Sequence, residues 1–174
     1  MQDVNADGLI NESDKQILGN SYPTWTGAWS SRVDFKGIDL SVQAITRRGQ
    51  MLFNDFRTGN STLAGRYNGA AVNYWTPVNP SNTDPRPNKD QESPIYSNAR
   101  GYEDGSFLKI RNITVGGAVP ARYIQNLGAQ SLRVYVTAQD PFMFTNTTVL
   151  DPEGRTTAGT PSYRTLLVGA SFGF

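Results

Sequence analysis

At 174 residues and 37% hydrophobic content the chain can bury the core of one ordinary domain, and its formal charge of +1 is spread without a basic stripe, which excludes nucleic acid as a partner. The absence of both cysteine and histidine removes disulfides, thiolate nucleophiles, zinc ribbons, imidazole metal sites and the usual catalytic triads. Seventeen Gly, ten Pro and abundant Asn, Thr and Ser favour turns and strands, so the expected class is all-β. The opening MQDVNADGLI has neither the basic nor the apolar region of a secretory signal, and no run approaches the roughly 18 apolar residues of a spanning helix. Alternating strands of a membrane barrel escape that test, so a membrane location stays open.

In chain order, the first element is an acidic loop. DVNADGLINESD, Asp3 to Asp14, meets the calcium-loop template at Asp3, Asn5, Asp7, Gly8, Leu9 through its carbonyl, Asn11 and Asp14. A hard cation takes about six to eight oxygens; Gly8 supplies the tight turn and Ile10 tucks the loop onto apolar neighbours. Asp14 stands where a bidentate Glu is usual, and its shorter arm lowers coordination number or affinity. Two residues precede Asp3, too few for the entering helix of a calcium switch, so the loop reads as a structural site that stiffens its surroundings. The competing reading is a solvated turn whose Asx side chains bond their own backbone. A turn or two of helix over SDKQILG follows, stopped at Gly19.

Strand patterning begins at Pro23. Over 23–35, Trp25, Gly27, Trp29, Ser31, Val33 and Phe35 share one face, and Thr24, Thr26, Ala28, Ser30, Arg32 and Asp34 the other. Lys36-Gly37 makes a two-residue hairpin into a strand over 38–48, setting Phe35 opposite Ile38 and Val33 opposite Leu40. Residues 49–104 lack a sustained period and are rich in Pro, Asn and Asp, a length of loop that a compact soluble domain seldom carries. The strand over 106–119 changes apolar phase between Leu108/Ile110 and Ile113/Val115, which predicts a bulge at Arg111 or Asn112. After a short connection at 120–130, a strand over 131–139 alternates Leu132, Val134, Val136 and Ala138 with Arg133, Tyr135, Thr137 and Gln139. A second loop spans 140–162. A final strand over 163–174 places Leu166, Val168, Ala170, Phe172 and Phe174 on one face.

Alternating short and long connections, with strands near the roughly 9–11 residues that cross a bilayer when tilted, are the signature of an outer-membrane barrel. Five strands do not close one, since single-chain bacterial barrels have even strand numbers from about eight upward. The chain therefore reads as the last part of a longer one.

The order of DVNADGLINESDK, ILGNSYPTWTGAWSSRVDFKGIDLSV, YWTPVNPSNTDPRP, YEDGSFLKIRNITVGGAVP, SLRVYVTAQDPFMFT and a terminal LLVGASFGF resembles the C-terminal portion of SusC/RagA-type TonB-linked outer-membrane proteins of Bacteroidetes. The resemblance covers essentially the whole chain. It implies an importer of oligosaccharides or peptides in the bacterial outer membrane, built as a 22-stranded barrel with an N-terminal plug and no enzymatic activity of its own. It also implies a SusD-type surface lipoprotein as cap, TonB as energy source through a region this chain lacks, and the barrel assembly machinery, which would read Val168, Ala170, Phe172 and Phe174. Possible structural calcium is the single cofactor expected.

With the last strand ending in the periplasm, both long loops face the exterior and both short turns the periplasm. Arg32, Asp34, Arg133, Tyr135 and Gln139 then face the lumen, to line the solute path or contact the plug. Trp25 and Trp29 belong to the outer-leaflet aromatic girdle, with Phe172 and Phe174 as periplasmic counterparts. Tyr67, Tyr74 and Trp75 are candidates for stacking on solute or lipoprotein, against the reading that they pin their own loop through Pro77 and Pro80. Asp151 and Glu153 in DPEG match a glycosidase couple in composition alone. The competing architecture is a soluble secreted, calcium-stabilised β-sandwich that binds carbohydrate. It would bury Trp25, Trp29, Leu132, Val134 and Phe172 in one core.

Overall fold

The structure, a computed structural model, describes residues 3–9, 11–60, 69, 71–90, 97–124, 128–154 and 162–174. Its elements are β1 (Trp25–Phe35), β2 (Ile38–Arg48), β3 (Met51–Phe53), α1 (Asp55–Asn60), β4 (Tyr102–Asp104), β5 (Phe107–Ala118), β6 (Ser131–Thr145) and β7 (Thr165–Gly173), with short 3-10 turns at Glu12–Asp14, Ser97–Gly101 and Ala121–Tyr123. One antiparallel sheet runs β1-β2-β5-β6-β7, and β3 pairs with β4 in a separate ribbon. No helix among the described residues is long and apolar enough to cross a membrane.

The β1–β2 hairpin has the expected register, Phe35 opposite Ile38 and Val33 opposite Leu40. Lys36 and Gly37 both have positive φ, 49° and 84°, the pair of left-handed residues that matches the twist of the flanking strands. The bulge falls at Arg111: Gln43 pairs with Asn112 but Ala44 with Ile110, which puts Leu108 and Ile110 on the same face as Ile113 and Val115.

Three expectations need correction. The segment 49–104 is not irregular throughout, because β3, α1 and β4 build a small folded unit at the head of the sheet. The strand expected over 131–139 continues to Thr145. Asp140-Pro141 is accommodated as a bulge between the pairs Asn112–Gln139 and Ile110–Phe142, so the proline needs no ladder donor and Phe142 and Phe144 extend the apolar face. Helix over SDKQILG reduces to the single 3-10 turn at Glu12–Asp14.

The two faces of the sheet differ in composition but not in coverage. Trp25, Trp29, Val33, Phe35, Leu166, Val168 and Phe172 on the apolar face are all more than half exposed. A sandwich would bury them against a second sheet. The buried residues instead gather at the end of the sheet that carries the long connections: Leu52 and Phe107, with Gln50 and Pro152 fully enclosed. The opposite end is closed by the 3-10 turn, where Ile124 and Ala129 are buried.

Candidate functional site

At the head of the chain, carboxylates organise the acidic loop by accepting backbone N–H groups. Asp3 Oδ2 accepts Gly8 N at 2.8 Å, Asp7 Oδ1 accepts Leu9 N at 2.8 Å, and Asn5 Oδ1 accepts Asp7 N at 3.1 Å. Asn11 caps the 3-10 turn through Ser13 N, while Asp14 takes Val4 N and Asn11 N, each at 2.8 Å. The backbone donors of Asn11 and Val4 hold the Asp14 carboxyl below its ordinary range. Among the described residues no three acidic side chains converge as a metal-binding group. One oxygen, Asp3 Oδ1, is buried without a hydrogen-bond partner. Ile10 lies outside the described residues.

The polar face of the sheet carries its charge in two groups. Near the short-turn end, Arg32 Nη2 lies 2.9 Å from Asp34 Oδ1 and 3.9 Å from Asp39 Oδ2. Asp39, 6% exposed, also accepts from Arg133 Nε at 2.9 Å, and the Arg133 guanidinium sits 5.1 Å from the Tyr135 ring centroid. Four of the five expected lumen residues thus meet in one cluster, completed by Asp39. Gln139 stands apart. Tyr135 lies across Gly169 of β7, where a Cβ would come within 2.4 Å of the phenol ring. Only glycine leaves room for that ring to lie flat between the strands.

The second charged group joins the sheet to the outer connections. Lys109, 2% exposed, places Nζ 3.3 Å from Asp140 Oδ1 and 3.1 Å from Glu153 Oε2, and Glu153 also binds Arg111. Arg47 donates to the Glu153 carbonyl at 3.2 Å. By alternation Asp140 would point with Ala138 toward the apolar side; its positive φ of 49° in the bulge turns it to Lys109 instead. Alongside, Gln50 Nε2 donates to the carbonyls of Gly105 at 2.7 Å and Pro152 at 3.2 Å, tying the two long connections together. Glu103 accepts from Asn54, Thr147 Oγ1, Thr148 N and Thr148 Oγ1. Burial pushes the Glu103 carboxyl up, but these donors together outweigh it and hold it below the usual value.

Tyr74 and Trp75 are 42% and 38% exposed, on a segment held by Trp75 N to Asp84 O at 3.0 Å and by Arg57 to Asp84 at 3.0 Å. Tyr74 lines an open hollow of about 350 Å³ with Thr76, Pro77, Arg86 and Pro87. Tyr67 lies outside the described residues. Val168, Ala170, Phe172 and Phe174 share the apolar face, with the Phe172 and Phe174 rings stacked at 6.4 Å. Sequence reasoning missed Lys109, Asp39 and Glu153 as partners. Alternation marks Lys109 and Asp39 as polar-face residues, but Lys109 meets Glu153 on a loop 44 residues away, and Asp39 meets Arg133 two strands across the sheet and 94 residues away.

No family model matches the chain. Its sequence is 28% identical over 151 residues to TonB-dependent receptor P3 of Formosa agariphila, covering 87% of this chain and 15% of that protein. It is 25% identical over 154 residues to TonB-dependent receptor P26 of the same organism, covering 87% and 16%. The fold matches the RagAB peptide importer in its closed-closed state with a TM-score of 0.72 at 24% identity, over 90% of this chain and 18% of the matched one. The open-open state gives 0.69 at 22% identity, over 91% and 18%. The chain therefore spans about a sixth of the length of the receptors that it is similar to.

Proposed function

We propose that this chain belongs with the TonB-linked outer-membrane proteins of the SusC/RagA family and supplies the last five strands of a 22-stranded outer-membrane importer of oligosaccharides or peptides. One observation carries the reading: a five-stranded antiparallel sheet whose apolar face is open while the charges of its other face pair with one another. Lipid is the solvent that such an outer face needs, and a water-filled interior is what the other face suits. The work of the segment is to form wall and mouth. Transport energy comes from TonB through another part of the receptor, and no residue here is assigned catalysis.

In this arrangement the tied outer connections present Tyr74 and Trp75 to a SusD-type lipoprotein or to solute. Val168, Ala170, Phe172 and Phe174 form the strand signal read by the barrel assembly machinery. Asp3, Asn5, Asp7, the Leu9 carbonyl, Asn11 and Asp14 hold a structural calcium ion that stiffens the loop ahead of β1, a role supported by the unmet Asp3 Oδ1.

Fractionation of native cells tests the reading. An antibody against residues 76–90 is expected to detect, in the outer-membrane fraction, a protein several times larger than 19.1 kDa. A soluble band at the chain's own mass would overturn it.

A further inference from the structure

Among the described residues Lys109 alone of the lysines is enclosed, and it places its ammonium between two carboxylates. The two acids are not equivalent. Glu153 is held from several sides: its carboxylate meets Lys109 Nζ at 3.1 Å and Arg111, and its carbonyl accepts from Arg47. Asp140 Oδ1 lies 3.3 Å from the same Nζ, is buried, and accepts no hydrogen bond among the described residues.

Asp140 reaches this place against its local preferences. Its φ of 49° is rare for a residue with a side chain, and Pro141 after it favours extended backbone instead. Strain of this kind persists where the surroundings fix it, and it gathers at sites that have a task. The ladder between β5 and β6 is also interrupted here, passing from Asn112–Gln139 to Ile110–Phe142 across the two bulges. The side chains of Lys109 and Asp140 meet where backbone bonds hold the two strands least.

An amine and a carboxyl held in contact and largely out of water, with a second carboxylate on the same nitrogen, are the two reactants and the proton carrier of amide formation. We propose that Lys109 and Asp140 join as a side-chain amide, an isopeptide bond that staples β5 to β6 at the rim of the sheet. One proton passes from the Lys109 ammonium to Asp140, leaving a neutral amine and a carboxylic acid. Nζ then attacks Asp140 Cγ and the C–N bond forms. Glu153 takes a second proton from the nitrogen and hands it to the departing hydroxyl, the Cγ–O bond breaks, and one water leaves. Glu153 ends as it began, and the step needs no oxidant, reductant or activated co-reactant. Enclosure favours the product, because the amide replaces two charges that are costly to bury. The reaction lies within this segment and draws nothing from transport.

Full-length receptor purified from the outer membrane, denatured, digested and analysed by mass spectrometry provides the test. The peptides carrying Lys109 and Asp140 are expected as one linked species, short by one water relative to their sum. Lys109→Arg keeps the charge but removes the nucleophile and should abolish that species. Asp140→Asn should still give it, at the same linked mass, because ammonia leaves in place of water. Glu153→Gln should slow linkage in newly made receptor about a hundredfold, the loss expected on removing a proton carrier. Linkage as fast in Glu153→Gln would overturn the role of Glu153. Separate peptides of full mass from the unaltered receptor would overturn the bond itself, a result that does not depend on any variant assembling.

Discussion

In the sheet, Leu166 and Val168 are 71% and 73% exposed, whereas in the connections above it Gln50 and Asn54 are 0% and 4% exposed. Apolar side chains stand in the open in one region and polar ones are enclosed in the other, the reverse of a soluble domain's habit. Each region is consistent with its own surroundings. On the importer reading the wall leaves its apolar face for lipid to cover, while the outer connections hold their shape in water with pairs that satisfy one another. Lys109 with Asp140 and Glu153 at the rim of the sheet, and Glu103 with Asn54, Thr147 and Thr148 above it, would then do in the mouth what lipid does along the wall.

Removing one partner from the mouth has the largest expected effect. Glu153→Ala leaves Lys109 enclosed with Asp140 alone and frees Arg111; breaking a buried pair costs about 3–5 kcal/mol, and the remaining Asp140 sets the expectation at the lower end. Denaturant unfolding of the receptor, read by proteolysis in 146–154, measures the loss. A mouth no less stable would separate the ion cluster from its assigned role.

On the wall, Val168→Arg should cost about 2–4 kcal/mol if this position meets the middle of the bilayer, and Thr137→Arg on the opposite face much less. Comparable penalties for the two, measured by refolding into lipid, would erase the distinction between faces. Gly169→Ala comes next, at about 1–3 kcal/mol, because the new methyl group meets the Tyr135 ring and must displace it. Tyr135→Ala should relieve it, so the double variant is expected to lose less than the two single losses added together.

The smallest effect is a dependence on pH. The Glu103 carboxyl is held below its ordinary value of 4.5, so its stabilising contribution is complete above that pH and disappears as pH falls through the lower folded value. Proteolysis of the outer connections should therefore rise in acid, and Glu103→Gln should remove that part of the response. An unchanged acid response in the variant would assign the sensitivity to other carboxylates.

Most of the wall could be read from the chain because period-two alternation is local. Trp25 to Phe35 and Leu166 to Phe174 declare their faces without reference to any partner, and the phase break around Arg111 announces its bulge. The continuation of β6 through Pro141 could not be read, since a proline ordinarily ends a ladder and the opposing Arg111 bulge is what accommodates it. The mouth was equally illegible. Glu153 meets Lys109 across 44 residues and Gln50 meets Pro152 across 102, contacts that depend on the path of whole loops and leave no periodic trace.

The claim that one face of this sheet meets lipid is tested most directly by spin labels on single cysteines at successive positions from 165 to 171, in full receptor reconstituted in bilayers with any other cysteine replaced. Oxygen accessibility is expected to peak at 166, 168 and 170 and to fall at 165, 167, 169 and 171. Accessibility without that two-residue alternation, or low at 166, 168 and 170, would contradict it.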